Sequence, residues 1–296
     1  MFDLSSFTAV IPAAGIGSRL LPATKAIPKE LLPIVDTPAI QYLVEEIVSS
    51  GITRIVFITA QGKEAIIDHF DSAPDLEALL ADRRKLELLE RVIEPTNMAQ
   101  YIAVRQNRPL GLGHAVLMAR KVVGENPFAV LLPDDLIDAQ RPALRQLLDV
   151  YERYNPHGVL ALMPVSDADV SKYGIVAGHS LSDGTIHIRD IVEKPPLESA
   201  PSRLAVIGRY VLHPETFAML EKIPRGSGGE IQLTDALAAL VHEGRTLLGC
   251  LFHGRRHDTG DVLGYLEANI HYALKRPELA EKLRQNLPDW LARISR

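Results

Sequence analysis

Between Phe7 and Leu132 the chain alternates short apolar runs with helical patterns, and this alternation restricts the fold more than any other feature. Phe7, Ala9, Val10 and Ile11 make a first strand that ends in a loop of small residues. Thr37 is placed to cap a helix with Pro38 at its first position; Ile40, Leu43, Val44 and Ile47 give its apolar face, and Gly51 stops it. A strand over Arg54–Thr59 and a helix near Lys63–Phe70 follow, then one long charged helix over 75–93 with leucines at helical spacing and a solvated charged face. A strand over Ile102–Arg105, a helix over His114–Val122 and an apolar strand over Phe128–Leu132 complete the series. Strands alternating with helices predict a parallel sheet covered by helices on both faces.

From about Val159 strands dominate: 159–163, 174–176, 185–192 and 205–212 are short, β-branched and separated by turns. Helices return near 234–241, 263–275 and 278–294. No repeat, low-complexity linker or charge run divides the chain, so all 296 residues are read as one α/β unit: a Rossmann-like, mixed, mostly parallel sheet flanked by helices. In such sheets ligands sit beyond the carboxyl ends of the strands.

A hydrophobic content of 47% is enough for a full core, and a net charge of −5 argues against a nucleic-acid binder, which needs a basic surface. The single cysteine, Cys250, excludes an internal disulfide and fits a reducing cytoplasm. The N-terminus has no basic region before its short apolar strand, so no signal peptide is expected. No apolar run approaches the roughly 20 residues of a membrane span.

Residues 10–33 read VIPAAGIGSRLLPATKAIPKELLP. Small residues after a strand let a ligand lie against bare backbone N–H groups, and Arg19, Lys25 and Lys29 on one loop suit a polyphosphate. A dinucleotide-binding turn fails here because Leu20 stands where G-x-G-x-x-G needs its third glycine, and no Gly-Lys-Ser/Thr follows to make a Walker A loop. After the apolar strand at 128–132, Asp134 and Asp135 suit either Mg²⁺ ligation or simple helix capping. Residues 256–260, RHDTG, set Asp258 beside a glycine near the start of a late helix. Gln106 and Gly111 lie in a loop that is either an ordinary turn or a reader of a pyrimidine edge, since an amide both donates and accepts. His114 suits a cap or a supporting contact. Glu193-Lys194-Pro195 ends a strand with side chains directed to opposite faces, and a surface ion pair is its plain alternative. In GGEIQLTD, residues 228–235, Thr234 or Asp235 suits a helix N-cap and Glu230 a ligand.

The first loop resembles G-x-G-[ST]-R-L followed by P-K, the signature of the sugar-1-phosphate nucleotidylyltransferases, and PATKAIPKELLP resembles their uridylyl-transferring branch. The later motifs match in family order from Val10 to about Gly264. The resemblance implies a fold of the nucleotide-diphospho-sugar transferase type. Its nucleotide-binding half would be about 1–158, its sugar-phosphate half about 159–262, and C-terminal helices about 263–296. It implies an enzyme that makes UDP-glucose and pyrophosphate from UTP and α-D-glucose 1-phosphate for polysaccharide and glycoconjugate synthesis. The alternatives are a sister enzyme using dTTP, CTP or ATP and a non-catalytic paralogue.

Carried over residue by residue, it implies catalytic roles for Arg19 on the β/γ-phosphates, Lys29 on the α-phosphate, Lys194 on the sugar phosphate, and Asp134 with Asp258 on Mg²⁺. The nucleotide falls to Ala13, Ala14, Gly15, Gly17, Lys25, Glu30, Gln106 and Gly111. The sugar phosphate falls to Tyr173, Gly174, Glu193, Lys194 and Glu230. A cytoplasmic homo-oligomer, dimer or tetramer, with no nucleic-acid or membrane partner, completes these expectations.

Overall fold

A computed structural model describes residues 4–226 and 229–294. Strands β1 (Thr8–Pro12), β2 (Pro33–Ile34) and β3 (Thr37–Pro38) precede helix α1 (Ala39–Ser49) and strand β4 (Arg54–Thr59). Next come α2 (Glu64–Asp68), α3 (Pro74–Asp82), α4 (Leu86–Asn97), β5 (Gln100–Arg105), α5 (Leu112–Met118), α6 (Arg120–Val123), β6 (Phe128–Leu131), β7 (Asp135–Asp138) and α7 (Ala143–Tyr154). The second half holds β8 (Gly158–Pro164), β9 (Gly174–Ser180), β10 (Ile186–Glu193), β11 (Leu204–Leu212), α8 (Glu215–Lys222), α9 (Leu233–His242), β12 (Leu247–Leu251), β13 (Arg255–Asp258), α10 (Val262–Lys275) and α11 (Pro277–Ile294).

One mixed sheet runs β5-β4-β1-β6-β11-β8-β12-β10-β9. The first four strands are mutually parallel, as is β8 with β12, whereas β11, β10 and β9 pair antiparallel with their neighbours. Along β1, Ala9 and Ile11 enter one apolar core and Val10 the other, so the strand is buried on both faces. That explains its continuous apolar sequence. Among the described residues no helix is long and apolar enough to cross a membrane.

Two local expectations are corrected. The 75–93 helix is two helices, α3 and α4, broken where Arg84 takes φ 53 and Lys85 is non-helical. A continuous leucine spacing conceals a break made by residues that are neither Gly nor Pro. Thr37 does not cap α1, because Thr37–Pro38 pairs with Pro33–Ile34 and the helix starts at Ala39 without a side-chain cap.

Candidate active site

Where β1 ends, Ala13 N–H donates to the Ile58 carbonyl at 2.8 Å, and the chain turns out over the ends of the parallel strands. Gly17 has φ 72, and a Cβ there would stand 3.2 Å from Lys29 Cβ and 3.3 Å from Thr24 Cγ2, so the turn needs glycine. Thr24 Oγ1 donates to the Gly17 carbonyl at 2.8 Å and closes the loop on itself. Arg19 stays 60% exposed, whereas Lys29 points inward and donates to Asp134 Oδ2 at 2.7 Å. Burial lowers the Lys29 pKa, but the Asp134 charge and hydrogen bond outweigh it and leave the ammonium above its usual value.

Ala14, Gly15, Gly17, Lys29, Gln106 and Gly111 line a cavity of about 490 Å³. Ala13 is buried behind it, and Lys25 is exposed outside its lining. Glu30 turns away: it is buried under the loop and paired with Lys63 at 2.6 Å. Burial raises its pKa against the pull of Lys63.

The 106–114 loop is tied to the segment before α9. Ile231 N–H donates to the Leu110 carbonyl at 2.7 Å, and Gly113 N–H donates to the Ile231 carbonyl at 2.8 Å. A Cβ on Gly111, whose φ is 95, would meet Glu230 Cβ and the Ile231 carbonyl at 2.8 Å. Within the loop, Gln106 Nε2 lies 3.2 Å from the Gly111 carbonyl and 2.9 Å from His114 Nδ1. His114 sits inside the first turn of α5 and supports the glutamine rather than capping the helix.

The acids converge through a two-stranded ribbon in which Asp258 of β13 stands opposite Asp135 of β7. Thr259 N–H donates to the Asp134 carbonyl at 2.8 Å, and Gly260 N–H to Asp258 Oδ1 at 2.9 Å. A Cβ on Gly260 would lie 2.6 Å from Arg19 Nη2, 3.0 Å from Asp258 Oδ1 and 3.1 Å from Asp134 Oδ2. Glycine therefore leaves free the space in which two carboxylates and a guanidinium face one another. Burial raises the Asp134 pKa, yet Lys29 prevails and holds it below the usual carboxylate value. Asp135 faces elsewhere, accepting from Gly208 N–H at 3.1 Å and from Arg256.

Two arginines brace these acids. Arg209, fully buried, pairs with Glu46 at 2.8 Å and donates to the carbonyls of Gly208 and Asp135 at 2.9 and 2.6 Å. A buried guanidinium is tolerable only with such complete partnering. Arg256 joins Asp135 and Asp258 and donates to Tyr173 Oη at 2.9 Å, with its guanidinium 5.2 Å from the tyrosine ring centre. The sequence signal for Arg209 is a charge inside the apolar run LAVIGRYVL; Glu46 and Lys63 carry no signal of their own.

Tyr173, Gly174, Glu193, Lys194 and Glu230 line a second cavity of about 680 Å³, together with Arg19, Asp134 and Asp258. Lys194 does not point opposite to Glu193. It leaves the strand at φ 45, so strand alternation fails, and its Nζ lies 3.3 Å from Glu193 Oε1. Thr234 does not cap α9 either; it is the second residue of the helix, and its Oγ1 donates to Glu193 Oε2 at 2.8 Å. Asp235 also lies inside that helix, whose N-cap position, Gln232, makes no side-chain cap. Gly228 lies outside the described residues. Both cavities include Asp134 and Glu230, so they adjoin in one cleft.

Residues 8–275 match the family model described as Nucleotidyl transferase. The chain is 46% identical over 275 residues to UTP–glucose-1-phosphate uridylyltransferase of Bacillus subtilis strain 168, covering 93% of this chain and 94% of that protein. It is 48% identical over 285 residues to UTP–glucose-1-phosphate uridylyltransferase YngB of the same strain, covering 96% and 95%. Similar solved structures include a UDP-glucose pyrophosphorylase complexed with UDP-glucose, at TM-score 0.81 and 41% identity over 91% of this chain and 99% of the other. A UTP-bound UGPase from Acinetobacter baumannii gives TM-score 0.87 and 41% identity over 95% and 98%.

Proposed function

The chain belongs to the nucleotidyl transferase family, and we propose that it converts UTP and α-D-glucose 1-phosphate to UDP-glucose and pyrophosphate. The observation that carries this reading is the single cleft made of two cavities that share Asp134 and Glu230. One cavity offers bare loop backbone and lysine to a nucleotide; the other offers Tyr173, Glu193 and Lys194 to a phosphorylated sugar.

The sugar phosphate oxygen is anionic at neutral pH and needs no general base. It bonds to the α-phosphorus as the bond from that phosphorus to the α,β-bridging oxygen breaks, and pyrophosphate leaves with the electron pair. The obstacle is repulsion between anions, so positioning and charge neutralisation dominate. Lys194 holds the incoming phosphate and Lys29 the α-phosphate. Arg19, exposed and only distantly paired with Asp134, meets the β/γ-phosphates, and Lys25 adds positive potential on the same loop. Glu193, fixed by Thr234, and Glu230 accept from sugar hydroxyls. Glu30 serves the nucleotide indirectly, by fixing the backbone beneath Lys29 through its pair with Lys63.

Among the described residues no group of three or more His, Cys, Asp or Glu side chains is arranged to hold a metal. Asp134 and Asp258, whose carboxylates face one another beside Gly260, fit Mg²⁺, which takes one or two carboxylates and completes its shell with phosphates and water. When bound there, the ion supplies positive charge to the phosphates. The exposed stripe Val262, Leu266 and Ile270 on α10 supports a homo-oligomer, and the lone Cys250 supports a cytoplasmic setting.

Four nucleoside triphosphates tested against several hexose 1-phosphates, with pyrophosphate release as readout, decide the substrates. UTP with glucose 1-phosphate should be fastest. Preference for another nucleotide, or no release with any sugar phosphate, would refute the assignment.

A further inference from the structure

The polar contacts of Gln106 go beyond placing an amide near a base; they fix which end of the amide the base meets. The Gly111 carbonyl can only accept, so the group 3.2 Å from it must be the amide NH₂. The second NH₂ hydrogen points to His114 Nδ1 at 2.9 Å. Both amide donors are thereby used inside the protein. Only Oε1, a pure acceptor, remains for a ligand in the cavity that Gln106 lines.

We propose that His114 is a positioning residue for base selection: by accepting from Gln106, it presents the glutamine carbonyl to the base and so admits pyrimidines with an N3–H donor while rejecting cytosine. This rests on the uridylyl-transfer reading and deepens it. Uracil and thymine carry N3–H, which Oε1 can accept; cytosine N3 carries a lone pair, which would face another lone pair. Reversing the amide to suit cytosine would set Oε1 against the Gly111 carbonyl and would require the His114 proton to move from Nε2 to Nδ1. A buried polar group left facing its own kind is costly, so a site built this way discriminates by rejection as well as attraction.

The imidazole must accept at Nδ1, which requires its proton on Nε2 and a neutral ring. Burial, reinforced by Arg225, lowers the His114 pKa from its usual value and favours that form. The loop geometry also holds the arrangement: Gly111 reaches φ 95, and Leu110 and Gly113 are hydrogen-bonded to Ile231, so the Gly111 carbonyl is fixed where it meets the amide.

The test compares wild type, His114→Ala and His114→Asn, whose side-chain oxygen replaces Nδ1 as acceptor. The kcat/KM ratio of UTP to CTP is measured with glucose 1-phosphate, and the Kd values of UMP and CMP by calorimetry. His114→Ala should lower the UTP/CTP preference by about tenfold, the value of one neutral hydrogen bond. His114→Asn should keep most of it. A histidine needed only for structure would weaken both nucleotides alike and leave the ratio unmoved. An unchanged ratio in His114→Ala, an asparagine variant as unselective as alanine, or a wild type that takes CTP as readily as UTP would each overturn the proposal. If wild type turns over no uridine nucleotide, uridylyl transfer itself fails, and the UMP and CMP affinities still decide the orientation of the amide.

Discussion

On the nucleotide side of the cleft, main chain forms the surface: the loop after β1 closes on itself through Gly17 and Thr24, and the 106–114 loop is tied to Ile231 by backbone bonds. Its outermost groups stand in solvent, with Ile16 78% exposed and the Arg19 side chain 60%. On the sugar side the polar side chains are already partnered, Glu193 by Thr234 and Lys194, and Tyr173 by Arg256. A ligand on the first side meets Arg19, an exposed cation with little protein contact to give up, while Lys29 keeps its pair with Asp134. A ligand on the second must replace or extend contacts that exist. The nucleotide side should therefore express itself in turnover, and the sugar side in affinity.

The seam between them offers the severest test. Asp134→Asn and Asp258→Asn keep size but remove charge where both cavities meet, so each should nearly abolish turnover, a loss beyond the order of 10³. Asp135→Asn should cost far less turnover, because its carboxylate faces Arg256 and Gly208 rather than the space between Asp134 and Asp258. Pyrophosphate release across a Mg²⁺ titration, with Mn²⁺ binding followed by paramagnetic resonance, checks both statements. Full activity in Asp258→Asn at ordinary Mg²⁺ would remove that residue from the site.

One step down, Arg19→Ala and Lys194→Ala should separate the two sides. An arginine that strengthens its contact as pyrophosphate departs contributes on the order of 10³ in rate, so Arg19→Ala should lower kcat more than it raises the KM for UTP. Lys194→Ala should chiefly raise the KM for glucose 1-phosphate, by roughly ten- to a hundredfold, the value of one or two hydrogen bonds to a charged group. Steady-state kinetics showing the reverse pattern would dissolve the contrast between the two sides.

What the sequence revealed follows the same division. The nucleotide side is written locally: an apolar strand, small residues and cations occur in one continuous stretch, and Gly17 and Lys29 lie in the cavity such a stretch implies. The acids are legible separately, Asp134 after an apolar strand and Asp258 beside a glycine before a late helix, but their meeting depends on the β7–β13 ribbon, which no local pattern announces. Arg209 and Glu46 are 163 positions apart and become partners only through the fold. Glu30 misleads because it directly follows Lys29, which does line the site, yet a short 3₁₀ turn directs it into the protein toward Lys63. The direction of Lys194 was hidden by its left-handed φ, and the polarity of the Gln106 amide by its dependence on His114.

If the two sides hold their substrates across one seam, the sugar phosphate attacks directly as pyrophosphate leaves from the opposite face, in a single displacement with no nucleotidyl-enzyme. UTP made chiral at the α-phosphorus with sulfur, in the isomer that is turned over, reports this most directly through the configuration of the UDP-glucose analogue formed. Inversion is the predicted result. Retention would require two displacements and a covalent intermediate, and would contradict the account.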